Sequence, residues 1–274
     1  MGLRVNTNIV SMTAQRNLGV VTDRLQGNYA RLSSGMRIAT ASDDAAGLGI
    51  SERMRAQIRS LGQAGRNAQD GISLAQSAEG SLNETSNTLV RMRELAIQAS
   101  NGTLSDADRA TIDSEFQALK NEIDRIASET EFNGIPLLDG SSTQVDIQVG
   151  LDSGETITIE LQDVTTTTLG ISSISVTTAT NASGSLALLD DAITSLNETR
   201  GDLGAAQNRI LSAYRSINNT RENLSAAESR IRDVDVAQET ADLSRNTIMQ
   251  QAAVAILSQA NTQPQLALSL LSGQ

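Results

Sequence analysis

The sequence has 274 residues, of which 39% are hydrophobic and 1% aromatic, and its formal net charge is −11. It contains no cysteine and no histidine, which excludes disulfides, thiolate or imidazole metal sites and catalysis by a histidine base. The negative charge argues against nucleic acid as the main partner, because neutralising phosphates requires clustered lysine and arginine. Few rings are available to fill a wide core, so the composition favours narrow seams between long helices.

The first 40 residues are basic and show the spacing of an amphipathic helix. Steps of four and three residues connect Ala14, Leu18, Val21, Leu25, Asn28 and Leu32. We expect the positive charge of this segment to face the acidic residues Asp235, Glu239 and Asp242. The first residues lack the apolar run of a secretory signal peptide, so we expect any export to proceed without a cleaved signal.

Three further segments have the alternating three- and four-residue spacing of helices that pack along a seam. They cover residues 45–99, 112–126 and 186–231. As unbroken helices, the first and third would be roughly 80 Å and 70 Å long at about 1.5 Å per residue, which predicts a rod. Polar residues at seam positions, such as Arg200, either set the register or mark places where a third helix is absent.

Short signals inside these segments predict helix starts and close contacts. Ser105, followed three residues later by Asp108, predicts a capping box ahead of the second segment. Asp43 precedes the first segment and is expected to cap it. The five glycines within residues 47–71 are expected at close helix contacts, since they do not form a phosphate-binding loop.

The period changes in the middle of the chain. Residues 144–161, QVDIQVGLDSGETITIEL, alternate apolar and polar side chains around a turn, which predicts a β-hairpin. The Thr- and Ser-rich segment 165–183 is expected to be loop, with a weak strand from Ile171 to Val176. The predicted fold is therefore mainly α: a long antiparallel helical coiled-coil rod with a small β-hairpin region and paired terminal helices.

The last 29 residues, from Asn246 to Gln274, carry no side-chain charge. A transmembrane helix is disfavoured because Gln, Asn, Ser and Pro interrupt the apolar run. A helix on a membrane surface would need Lys or Arg on its polar face. Burial inside a monomer is the simplest alternative, but the sequence offers no large core to receive it. We favour a helix buried between copies of the chain, with its neutral polar face toward a water-filled lumen.

Two acidic clusters raise an enzymatic alternative. Asp43 and Asp44 are adjacent, and Asp233, Asp235 and Glu239 are close in sequence. Paired carboxylates can perform acid–base catalysis or bind a hard cation. Such clusters are more often helix caps or solvated surface charges. We therefore expect no enzymatic activity, no metal and no cofactor.

Four long segments carry a resemblance to a known family. They are RLSSGMRIATASDDAAGLGISERM (31–54), RMRELAIQASNGT (91–103), NEIDRIASETEFNGIPLL (121–138) and SRIRDVDVAQETADLSRNTIMQQAAVAILSQANTQPQLALSLL (229–271). In this order they closely resemble bacterial flagellin, over nearly the whole chain. Because the middle segment is short, the chain resembles a flagellin that lacks large variable outer domains.

The resemblance implies a structural subunit that polymerises into the bacterial flagellar filament used for swimming. Residues 1–44 and 231–274 would form the inner tube domain. Residues 45–140 and 185–230 would form the rod domain, with 141–184 as its hairpin and loop region. Inner-tube packing would involve Leu18, Val21, Leu25, Leu32, Val254, Leu257, Leu268 and Leu271. The main alternative is a hook–filament junction protein, a relative with similar terminal helices.

The resemblance also implies partners. They are other copies of the chain in a helical homopolymer, an export chaperone at the C-terminal helices, the filament cap and hook-associated proteins. The segment RMRELAIQ is similar to the one that the Toll-like receptor for flagellin recognises, which implies receptor contact at Arg91, Leu95 and Glu115. Leu95 and its neighbours are also expected to pack between subunits. The implied location is extracellular, in the filament after type III export, with no membrane or nucleic-acid partner.

Overall fold

The computed structural model describes the backbone of residues 7–272 and the side chains of residues 7–263. Within this range the helices are α1 (Ile9–Ser34), α2 (Ala45–Ala99), α3 (Asp106–Glu129), α4 (Ala179–Arg232) and α5 (Val236–Ser272). Strand β1 (Glu131–Phe132) pairs antiparallel with β2 (Ile135–Pro136), and β3 (Gln144–Gln148) pairs antiparallel with β4 (Thr156–Glu160). The predicted mainly α fold, its unbroken long helices and its hairpin are confirmed.

The chain divides into two compact units. Unit 1 comprises residues 1–56 and 223–274, and unit 2 comprises residues 57–222. Both boundaries fall inside helices, because α2 and α4 each contribute residues to both units. The boundaries predicted from the sequence, after residues 44 and 230, lie at the start of α2 and near the end of α4, and they stay a prediction.

The core of unit 2 is formed by α2, α3, α4 and the β3–β4 hairpin. Fully buried side chains include Leu82, Leu89 and Met92 of α2, Phe116 and Ile123 of α3, Leu189 and Leu196 of α4, and Ile159 of β4. The residues at four- and three-residue spacing therefore lie on the faces of α2, α3 and α4 that pack against each other. Arg200, a polar seam position, lies 2.7 Å from Glu79 of α2, so it is paired across the seam.

The connection from α2 to α3 is held by the predicted capping box and by one buried arginine. Ser105 Oγ accepts a hydrogen bond from the Asp108 N–H, and Asp108 accepts one from the Ser105 N–H. Arg109 is 7% exposed and donates to the carbonyls of Ala99 and Asn101, each at 3.0 Å. The guanidinium therefore caps the C-terminal end of α2, where carbonyls lack helical donors.

The hairpin packs against α2 at a glycine. A Cβ atom on Gly71 would lie 3.0 Å from Ile147 Cγ1 of β3, so any larger residue would press on that side chain. The prediction of a close helix contact at Gly71 was therefore wrong about the partner, because the contact is made with the hairpin. The exposed turn that follows β3 is closed by hydrogen bonds from Val149 N–H to the Glu155 carbonyl and from Asp152 N–H to the Glu155 carboxylate.

The weak strand predicted from Ile171 to Val176 was wrong. This segment has no strand partner, because side chains of α3 bind its backbone. Asp113 accepts from the Val176 N–H at 2.7 Å, Gln117 donates to the Ile174 carbonyl at 3.2 Å, and Lys120 donates to the Ser172 carbonyl at 2.7 Å. The apolar residues of the segment are buried without a sheet.

The cap of α2 also differs from the prediction. Asp44, the residue immediately before the helix, accepts a hydrogen bond from the Gly47 N–H at 2.9 Å. Asp43 instead accepts from the N–H groups of Ala39 and Thr40, which lowers the pKa of its carboxyl group, Thr40 contributing most. Asp43 therefore closes the turn that precedes α2, and Asp44 is the cap.

The loop between α1 and α2 and the loop between α4 and α5 lie side by side in unit 1. Met36, after α1, forms an antiparallel β-bridge with Asp233, after α4. Arg232, 9% exposed, donates to Glu52 Oε1 at 2.7 Å, and this hydrogen bond is the main reason that the pKa of Glu52 is lowered. The two connections are thus tied to the first turns of α2.

We expect Gly80→Ala to stabilise the protein more than Gly71→Ala, although both substitutions lie within α2. Replacing glycine by alanine inside a helix stabilises it by about 1 kcal/mol. Nothing lies within 4 Å of a Cβ at Gly80, so that gain is retained, whereas at Gly71 the contact with Ile147 offsets it. Chemical denaturation measures both free energies of unfolding. Equal stabilisation by the two substitutions would contradict the close packing of the hairpin.

We expect Glu52 to titrate below the usual range of glutamate. Because its folded pKa is lowered, the stabilisation from its contact with Arg232 is present at neutral pH and is lost as the pH falls through the folded pKa. NMR titration of the side-chain carboxyl group measures this value. The Arg232→Gln variant should return the pKa of Glu52 toward that of an ordinary glutamate, and an unchanged value would contradict the assigned contact.

Candidate assembly interface

Helices α1 and α5 pack antiparallel along one narrow seam in unit 1. The buried positions of α1 are Ala14, Val21, Leu25 and Asn28. On α5 the least exposed side chains recur at steps of four and three residues, namely Glu239, Leu243, Asn246, Gln250, Ala253, Leu257 and Ala260. These steps keep one stripe of each helix facing the other. The prediction that the terminal helices pair is therefore confirmed for the part of the chain that the structure describes.

Large apolar side chains also cover the outer surfaces of both helices. With exposed fractions from 46% to 65%, they are Ile9, Val10, Met12, Val20 and Tyr29 of α1, and Val236, Ile248, Met249, Val254 and Ile256 of α5. The side chains of residues 57–222 include far fewer of this kind, namely Val90, Ile97, Leu151 and Leu188. Large apolar side chains that stay exposed together indicate a site of association.

The residues expected to pack in the inner tube fall into three groups. Val21 and Leu25 are buried in the α1–α5 seam, and Leu18, Leu32 and Leu257 are partly buried there. Val254 is 52% exposed and lies on the outer surface of α5. The remaining two, Leu268 and Leu271, lie outside the residues whose side chains the structure describes. Five of these residues therefore pack within the subunit, and Val254 stays exposed, so that another molecule can contact it.

A buried polar cluster interrupts the seam near its α1 C-terminal end. The Asn28 side-chain amide donates to Glu239 Oε1 at 2.6 Å, and its oxygen accepts from Asn246 at 2.8 Å. Arg31 lies 3.8 Å from Glu239, so the expected pairing of the basic segment with acidic residues is confirmed there. Asp242 pairs instead with Arg245 of its own helix at 3.2 Å. The sequence signal for the cluster was a polar residue, Asn28, at an apolar position of the stripe.

The opposite end of the seam is also held by polar contacts. Asn8, the N-cap of α1, donates its side-chain amide to the Ala260 carbonyl at 2.7 Å. That carbonyl lacks its helical donor, because the residue four positions later is Pro264, which has no N–H. Ser11 donates to the side-chain oxygen of Asn261 at 2.7 Å. The proline in α5 is thus accommodated by a side chain of α1.

The acidic residues considered as catalytic candidates have structural roles. Asp235 accepts hydrogen bonds from the N–H groups of Ala237 and Gln238 and so caps α5. Asp43 is bound to the turn before α2. Within the described residues, acidic side chains do not gather in groups of three that could hold a metal ion. Among the same residues, every helix falls short of the length and apolarity needed to cross a membrane.

The three residues expected to contact a receptor lie close together in unit 2, but only two are on its surface. Arg91 Nη2 lies 2.8 Å from Glu115, and Arg91 Nη1 lies 3.1 Å from Glu94. The hydrogen bond to Glu115 is the main reason that the pKa of Arg91 is raised. Leu95 is 2% exposed and belongs to the core of the unit. Its side chain supports the surface from beneath and is covered by its own subunit.

Comparison with known proteins covers most of the chain. Residues 5–143 match the bacterial flagellin N-terminal helical region, and residues 186–271 match the bacterial flagellin C-terminal helical region. The chain is 48% identical over 269 residues to a flagellin of Halalkalibacterium halodurans, covering 97% of this chain and 99% of that protein. It is 44% identical over 283 residues to the flagellar filament 30.7 kDa core protein of Treponema maltophilum, covering 98% of this chain and 99% of that protein.

Among solved structures, the crystal structure of Bacillus cereus flagellin resembles the fold with a TM-score of 0.52 at 34% identity, covering 60% of this chain and 94% of that one. Full-length similarity to flagellins and filament core proteins favours a filament subunit over the hook–filament junction alternative. The paired terminal helices, the apolar outer surfaces and these matches lead to one conclusion: the chain belongs to the bacterial flagellin family and is a structural subunit of the flagellar filament, not an enzyme.

Proposed function

We propose that copies of this flagellin pack through the exposed apolar surfaces of α1 and α5 to build the inner tube of the filament. The observation that carries the proposal is the exposure of ten large apolar side chains on a helix pair whose own seam is narrow. Fully burying one such side chain stabilises by about 1.5–3 kcal/mol, and these are already partly covered. Burial of the set then contributes on the order of 10 kcal/mol per subunit.

The contact we propose joins different surfaces of neighbouring copies. When the outer surface of α1 in one copy meets a different surface in the next, the contact can repeat from copy to copy, and it generates a helical polymer when its rotation does not close a ring. In this arrangement residues 1–44 and 231–274 form the inner tube domain. Residues 45–140 and 185–230 form the rod domain, which carries the hairpin and loop region 141–184.

The uncharged part of α5 suits the wall of a channel. Beyond Arg245 the exposed polar side chains of the described residues are amides and hydroxyls, among them Gln251, Ser258, Gln259 and Asn261. Such groups hydrogen-bond to water but offer no charge to which a passing chain could bind. Gln251 and Ser258, seven residues apart, lie on one face of α5, and we place that face toward the bore of the tube, through which subunits are exported.

A filament subunit works outside the cell, so it needs partners for export and assembly. We propose that the chain is exported without a cleaved signal by the flagellar type III apparatus. A chaperone would cover α5 beforehand, because its apolar outer surface would otherwise promote premature association. The filament cap and the hook-associated proteins would then meet the same helices at the two ends of the filament.

The surface around Arg91 is our proposed contact for the Toll-like receptor that senses flagellin. Arg91 and Glu115 are exposed and paired at 2.8 Å, so both present hydrogen-bonding groups to a partner. Leu95 would act indirectly, because its burial beneath them fixes the position of α2. This assignment rests on the resemblance of the segment and on the exposure of the two charged residues.

The proposed packing is tested by Ile248→Ser. Ile248 is 65% exposed, so the subunit should fold normally, while the loss of apolar burial on assembly should cost about 1–2 kcal/mol. We expect the critical concentration for polymerisation to rise about tenfold, because 1.4 kcal/mol corresponds to a factor of ten. Sedimentation of filaments and circular dichroism of monomers measure the two quantities.

The matched control is Leu188→Ser, which removes an exposed apolar side chain, 41% exposed, from α4 in unit 2. We expect its critical concentration to stay within about threefold of the unmodified protein. Polymerisation of the Ile248→Ser variant at the unmodified critical concentration would contradict the proposal that α5 packs between subunits.

The proposed receptor contact is tested by Arg91→Ala and Glu115→Ala. Exposed ion pairs contribute about 0–1 kcal/mol to stability, so both variants should fold. We expect each to weaken activation of receptor-expressing reporter cells by monomer at least tenfold. Arg93→Ala is the control, because Arg93 lies on the same helix and pairs with Asp190 at 2.6 Å. Equal loss of activation in all three variants would contradict a specific role for Arg91 and Glu115.

A further inference from the structure

We propose that two asparagines, Asn8 and Asn28, specify the register in which α1 pairs with α5. Apolar packing in this seam does not select one register, because both stripes repeat in steps of four and three residues. A shift by seven residues would again place apolar residues opposite each other. The β-bridge between Met36 and Asp233 ties the segment after α1 to the segment before α5. Along the helices themselves, the polar contacts at the two ends of the seam distinguish the observed register from its neighbours.

Asn28 marks the register at one end. Its side chain is 6% exposed and lies between Glu239, its acceptor at 2.6 Å, and Asn246, its donor at 2.8 Å. Glu239 is itself 7% exposed. A shift of seven residues along α1 would bring Val21 or Gly35 opposite Glu239, and neither has a side-chain donor. The buried carboxylate would then lose its amide partner, which is costly in an apolar surrounding.

Asn8 marks the register at the other end. Helical carbonyls are normally occupied by the N–H group four residues later, so most of α5 offers no free acceptor. The carbonyl of Ala260 is an exception created by Pro264, and the Asn8 amide donates to it at 2.7 Å. After a shift of seven residues Asn8 would face Ala253, whose carbonyl lies four residues before Leu257 and has a helical donor. Only the observed register therefore joins the amide to a free carbonyl.

The register matters because it aligns the outer surfaces of the two helices. A shift of seven residues would displace α1 along α5 by about 10 Å. The exposed apolar residues of α1 would then no longer stand beside those of α5, and a neighbouring copy would meet a different surface. This consequence rests on the packing proposed above, whereas the register itself is a property of one subunit.

The absence of cysteine allows the register to be measured with introduced pairs. Ser11→Cys with Asn261→Cys reports the observed register, since the side-chain oxygens of these residues are 2.7 Å apart. Ser11→Cys with Val254→Cys, and Leu18→Cys with Asn261→Cys, report shifts of seven residues in opposite directions. In otherwise unmodified monomer we expect the first pair to oxidise at least tenfold faster than the other two.

The decisive variant carries Asn28→Leu with Glu239→Leu. These substitutions replace the buried contact between Asn28 and Glu239 by two apolar side chains, while Asn246 and Gln250 of the α5 stripe stay half-buried, so the helices stay paired. We expect oxidation of the shifted pairs to accelerate at least tenfold, and further when Asn8→Ala is added. Val21→Leu, an apolar exchange on the same stripe, should leave all three rates unchanged. Circular dichroism checks the helical content of each variant.

The possible outcomes separate this inference from the packing model. If only the observed-register pair oxidises in the Asn28→Leu, Glu239→Leu, Asn8→Ala variant, the inference is wrong. Loss of all three disulfides would also overturn it, because the apolar stripes would then not pair by themselves. If the shifted pairs oxidise and the variant without cysteines still polymerises like the unmodified protein, the register assignment holds and the proposed packing of α1 and α5 fails.

Discussion

The organisation of this flagellin depends on the mismatch between the apolar surface of its terminal helices and the seam available to bury it. Two helices that meet along one stripe can cover only that stripe. Helix α5 carries apolar side chains both in the stripe, as at Leu257, and outside it, as at Ile248 and Ile256. Among the residues whose side chains the structure describes, these outer side chains stay exposed. In the packing that we propose, association with other copies buries the apolar surface that folding leaves exposed.

Unit 2 buries most of its large apolar side chains within itself, whereas unit 1 leaves many of its own exposed. Its helices and hairpin bury Phe116, Leu95 and Ile159 completely or almost completely. Polar groups within it are bound locally: Arg109 caps α2, and side chains of α3 bind the backbone of the segment before α4. A subunit that buries its apolar side chains in one unit and leaves them exposed in the other can be stable as a monomer and still polymerise.

The sequence predicted what depends on local periodicity and missed what depends on pairwise geometry. Regular spacing located the long helices, the hairpin and the Ser105–Asp108 capping box, because each is determined by neighbouring residues. The segment from Ile171 to Val176 alternates like a strand, but Asp113 and Lys120 of α3 bind its backbone instead. Leu95 could be matched to a recognition segment, yet its burial depends on the packing of three helices. Likewise, Asn28 and Glu239 are 211 positions apart, so no local pattern connects them.

The exposed turn between β3 and β4 has a practical consequence. Its hydrogen bonds stay within the hairpin, and the contact that anchors the hairpin is made by Ile147 against Gly71, outside the turn. Extra residues placed between Ser153 and Gly154 would extend away from that anchor and would leave the helical core untouched. The hairpin tip is therefore a natural place to graft a foreign peptide, which a filament would then display at regular intervals along its length.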